Sequence, residues 1–127
     1  MPDRGPASRL AGSTLLYHDL ELPEALRVLA GDGFQTVDVV SIPGERPHLD
    51  PYREGYLAGA ELREVEDTLA ALGQRVHTLY VFPGSLHHAE PGSGPRIVGN
   101  ALRLAQRLGA PIVGLPSGPP TYPGRLA

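Results

Sequence analysis

In the run LPEALRVLAGDGFQTVDVV, Leu22 to Val40, a helical pattern gives way to a strand pattern within a few residues. Leu22, Ala25, Leu26 and Leu29 fall on one stripe at helical spacing, so a helix here would bury one face. It is expected to start near Pro23, because proline's missing N–H has no partner in a first turn. Gly31 and Gly33 are expected to stop it. Thr36 to Ile42 (TVDVVSI) is rich in β-branched residues and predicts a strand.

The same unit recurs twice downstream. Within Glu61 to Leu72, the residues Leu62, Val65, Leu69 and Leu72 are spaced 3, 4 and 3 apart, the signature of an amphipathic helix. Gly73 follows as its left-handed cap, and Arg75 to Phe82 (RVHTLYVF) predicts a third strand. Arg96 to Leu108 carries Ile97, Ala101, Leu104 and Leu108, spaced 4, 3 and 4, and predicts a third helix. Gly109 caps it, Pro111 forbids its continuation, and Pro111 to Leu115 (PIVGL) is a fourth short strand. Upstream, Ala11 to Leu16 (AGSTLL) predicts a short buried first strand, followed by the polar loop Tyr17-His18-Asp19. Residues 1–10 form a polar, aperiodic lead expected to be flexible, which leaves 11–127 as the domain. From Pro116 onward the sequence is turn-rich and aperiodic.

The predicted order is β-α-β-α-β-α-β. Strands joined through helices run parallel, with right-handed crossovers. The connections are lopsided: helix-to-strand links take two or three residues, whereas Pro43 to Gly59 and Pro83 to Pro95 make long loops after the second and third strands. Long loops at the carboxyl ends of parallel strands are where α/β proteins bind ligands.

Composition agrees with a single domain. The 127 residues include 16 glycines and 14 prolines, close to the level of low-complexity chains, but these residues cluster in the loops. A net charge of −3 without a basic block argues against binding nucleic acid. The absence of cysteine excludes disulfides and thiolate nucleophiles. No run approaches the ~18 apolar residues of a membrane helix and no signal-type apolar segment opens the chain, so a soluble cytoplasmic protein without a membrane partner is expected.

Three segments carry a resemblance to a known family. LPEALRVLAGDGFQTVDVV resembles the helix-then-strand signature of the xylose-isomerase-like sugar phosphate isomerase/epimerase superfamily. LREVEDTLAALGQRVHTLYV resembles its second helix and third strand, and NALRLAQRLGAPIVGLPSG its third helix and fourth strand. The resemblance spans roughly residues 10 to 118 and lies in pattern and spacing. It implies (β/α) units of a TIM barrel, about four strands and three helices of an eight-stranded fold of typically ~250 residues. It also implies metal-dependent isomerisation or epimerisation of a sugar or polyol, with a divalent metal (Mn, Mg, Zn or Co) held in full-length relatives by groups from the second half of the barrel. This chain alone is then expected to be inactive. DNA-repair endonucleases of the same superfamily use histidines after the second and third strands, and His48 and His88 lie in the corresponding loops.

Candidate substrate-binding residues are His18, Asp38, His48, His87 and His88. The four histidines fall in strand-to-helix loops, where a neutral imidazole can bind a ligand or shuttle a proton, but surface loops also simply collect polar residues. Two histidines in separate loops are at best half of a metal site. Asp38, inside a strand, is either half of a structural ion pair or a substrate contact, and the family carries an acid there, usually Glu. HLDP (His48 to Pro51) offers a hydrogen-bonded His48–Asp50 pair or a plain Asp-Pro turn. His77, within the third strand, is expected to be a packed core histidine. Glu61, Glu64, Glu66 and Asp67, with Arg63, are expected to form a solvated helix face. Tyr17, Tyr80, Phe82 and Tyr122 are expected to pack, and Ser117-Gly118 offers backbone N–H groups without a following helix. Two other functions compete with the isomerase-like reading. One is a non-catalytic half-barrel that self-associates as a homodimer; the other is an open flavodoxin-like domain that binds a small ligand.

Overall fold

The computed structural model describes residues 10–44, 47–83 and 93–116. It is an α/β half-barrel, with one sheet of four parallel strands and three helices. The strands are β1 (Gly12–Ser13), β2 (Thr36–Ser41), β3 (Arg75–Val81) and β4 (Ile112–Gly114). The helices are α1 (Leu22–Gly31), α2 (Ala60–Leu72) and α3 (Ser93–Leu108). Strand order in space follows chain order, β1-β2-β3-β4, with every neighbour parallel. This order excludes the flavodoxin-like alternative, in which the sheet reverses at a switch point.

Register and burial put all three helices on one face. Val37 and Val39 of β2 and Val76, Leu79 and Val81 of β3 join a single core with Leu22, Leu26 and Leu29 of α1, Leu62, Val65 and Leu69 of α2, and Ala101 and Leu104 of α3. Side chains alternate along a strand, so the intervening residues point the other way. Ser13, Asp38, Thr78 and Ile112 lie in one line across the four strands, and Val40, Tyr80 and Gly114 form the next. None of these residues belongs to the core.

The helix ends follow the sequence closely. Gly73 and Gly109 take φ of +66° and +73°, the left-handed conformation that glycine adopts without a Cβ clash. The helix starts differ more. α3 begins at Ser93, because Pro95 sits in the first turn, where its missing N–H is no loss. The first strand is shorter than Ala11 to Leu16: it ends at Ser13, and Thr14–Tyr17 form a 3-10 turn. Two hydroxyls cause this. Ser13 Oγ accepts the Leu15 N–H at 3.2 Å, and Thr14 Oγ1 accepts the Val40 N–H at 3.0 Å, so side chains replace the ladder. Within Pro43 to Gly59 a further 3-10 turn, Tyr56–Ala58, precedes α2.

Candidate functional site

Asp38 occupies the centre of the uncovered sheet face, flanked in register by Ser13 and Thr78. A bulge shapes its surroundings. Val37 pairs with Val76 but Asp38 pairs with Thr78, so His77 is the extra residue of β3. The expectation that His77 is a packed core histidine fails for this reason: the bulge turns it outward, and its side chain is 49% exposed. Its Nδ1 lies 3.0 Å from Thr78 Oγ1 and 3.6 Å from Asp38 Oδ1. The second distance suits an ion pair but is too long for a hydrogen bond. Asp38 Oδ1 is accordingly enclosed without a donor, although the side chain as a whole is 37% exposed. Beside it on the same face, the Tyr80 ring lies across Gly114, leaving no room for a Cβ there. Tyr80 also meets Phe82 edge-on, with ring centroids 5.5 Å apart.

The other predicted residues are dispersed. His18 is exposed at the carboxyl end of β1, its Nδ1 3.3 Å from the Leu15 carbonyl. His48 is buried at 6% exposure, with Nε2 3.0 Å from the Leu20 carbonyl. Burial pushes its imidazole below the ordinary value, against the partly opposing pull of the Leu20 and Tyr17 carbonyls. His48 lines a groove of about 650 Å³ between α1 and α2, walled by Glu24, Glu61 and Glu64, and Asp38 is not part of that groove. The structure does not form the His48–Asp50 pair. Asp50 instead accepts the Arg53 backbone N–H at 3.1 Å, the ordinary Asp-Pro turn. His87 and His88, together with Ser117, Gly118 and Tyr122, lie outside the described residues.

The acidic face of α2 is not uniformly solvated. Arg107 grips Glu66 with two hydrogen bonds of 2.7 and 3.1 Å and also donates to the Leu57 carbonyl, while Arg53 pairs with Glu61 at 2.9 Å. Tyr17 packs against the core as expected, and its hydroxyl donates to Asp32 at 3.0 Å.

Sequence reasoning missed Tyr52 and Gln74. The Tyr52 hydroxyl sits between the carboxyl ends of β2 and β3, donating to the Ser41 carbonyl and accepting the Phe82 N–H at 2.9 Å. Burial pushes this phenol up to about 12. Gln74 is buried and donates to the carbonyls of both Leu26 and Phe34 at 3.0 Å. Its position directly after the Gly73 cap was the one available signal, since a polar residue between a helix and a buried strand must find partners.

Among the described residues, no three His, Asp or Glu side chains converge as a metal centre requires. Asp38 and His77 supply two donors, so the described residues do not fit a complete divalent site. No described helix is long and apolar enough to cross a membrane. Compared with family models, curated proteins and solved structures, the chain gives no match.

Proposed function

We propose that this chain is the substrate-binding half of a sugar phosphate isomerase/epimerase-like (β/α) barrel, and that it holds a sugar or polyol against the sheet face bearing Asp38. The observation that supports this is the Asp38 carboxylate between the Ser13 and Thr78 positions: its side chain is 37% exposed on this face although Oδ1 is enclosed, so the rest of the group can meet a ligand. A partly exposed carboxylate beside hydroxyl side chains complements a ligand rich in O–H groups. The half-buried Tyr80 and Phe82 rings provide an apolar surface for the C–H face of a sugar. His18 lies at the same end of the sheet, and His87 and His88 belong to the loop after β3 in sequence.

In the enzymes that the sequence resembles, a divalent metal polarises oxygens next to the proton that is abstracted. In this proposal the chain binds without turning substrate over. The test is an NMR titration of ¹⁵N-labelled protein with aldoses, ketoses, polyols and their phosphates. Shifts are expected at Ser13, Asp38, Thr78 and Tyr80, with affinity roughly tenfold lower in Asp38→Asn, whose amide nitrogen replaces an acceptor. Shifts confined to other surfaces, or none for any sugar, overturn the reading. Mn²⁺-dependent isomerisation by this chain alone overturns its non-catalytic part.

A further inference from the structure

The sheet face opposite the helices carries apolar side chains around the polar line of Ser13, Asp38 and Thr78. Ile42 and Ile112 are 44% and 45% exposed, Val40, Tyr80 and Phe82 are only half-buried, and none of the five belongs to the core. The outer edges of β1 and β4 also have no strand beside them in the described sheet. Parallel edges and an apolar face of this kind are what a closed barrel removes.

We propose that a second copy of this chain covers the face, so that the two four-stranded sheets close edge to edge into one eight-stranded parallel barrel. Strand direction and order favour this occupant. A two-fold axis parallel to the strands sets β4 of one copy beside β1 of the other, in the same direction, and does so at both seams. The contact is therefore isologous and closed, with no free edge left to propagate. The count favours it too. Eight strands give an interior just wide enough for side chains to fill, and it would enclose the polar Asp38 line together with Val40, Ile42, Tyr80, Phe82 and Ile112. Closure encloses the Asp38 face, so a sugar would then reach it only from the mouth at the carboxyl ends of the strands. Sedimentation reads closure and the sugar titration reads binding, so either proposal can fail alone.

Sedimentation velocity on the full 127-residue chain tests this proposal. A discrete species of twice 13.5 kDa is expected. Ile112→Lys places a charge where the monomer tolerates it, and should weaken dimerisation roughly tenfold or more with an unchanged circular dichroism spectrum. A second variant probes the same face independently: Ile42→Lys, at the other exposed isoleucine, should weaken dimerisation likewise. A monomer at every concentration reached overturns the proposal, as does an open-ended polymer. So does a dimer that both Ile112→Lys and Ile42→Lys leave intact.

Discussion

His48 shows how a loop histidine can be structural while keeping a titratable role. Its buried ring donates from Nε2 to the Leu20 carbonyl, and Nδ1 is enclosed without a hydrogen-bond partner. Charging the ring inside the fold is unfavourable, since burial outweighs the help from the Leu20 and Tyr17 carbonyls and from Glu21, with His18 adding a small opposing effect. The unfolded chain therefore takes up this proton first as the pH falls. His48 contributes its full stability above about 6.5, and that contribution is lost as the pH drops from there toward the folded-state value. Glutamine keeps a donor for the carbonyl but does not titrate. Urea midpoints at about pH 7.5 and about pH 5.5 should fall further in the wild type than in His48→Gln. Equal falls in the two proteins would show that the ring protonates as readily folded as unfolded.

Between elements, a hydroxyl replaces a ladder bond. At the carboxyl ends of β2 and β3 the Ser41 carbonyl and the Phe82 N–H do not meet each other, and the Tyr52 hydroxyl stands between them, serving both. Tyr52→Phe keeps the ring and leaves a donor and an acceptor unpaired in a partly buried place. We expect a loss of ~1–2 kcal/mol in urea unfolding; a loss within error would show that solvent replaces the hydroxyl. Contacts like this also mark what could be read from the sequence. The helices were legible because the stripes Leu22–Leu29 and Leu62–Leu72 are local and periodic, as were the strands Thr36–Ser41 and Arg75–Val81. The first strand was read too long because the reach of Thr14 to Val40, 26 residues away, has no local signature. The bulge at His77 depends on the register of its neighbour, so the alternation read from β3 alone put that histidine in the core. Asp38 was legible as a mid-strand acid. Its enclosure and its donorless oxygen belong to the assembled sheet.

For the molecule as a whole, one core supports a sheet whose two halves differ in what covers them. β2 and β3 are paired on both sides and pack on all three helices, whereas β1 and β4 are two and three residues long with one outer edge each. Local opening should follow this division. Amides of β2 and β3 such as Val39 and Leu79 should exchange only through global unfolding, while the outward amides of an open edge should exchange almost freely. Closure by a second copy changes only the latter. Hydrogen exchange of wild type should therefore show the outward amides of β1 and β4 slowed at least about tenfold relative to Ile112→Lys, because each would gain a strand partner across a seam. The inner strands should remain protected in both proteins. Equal, fast exchange at the edges in both would mean that the sheet stays open in solution, and that the apolar face has some use other than meeting its own copy.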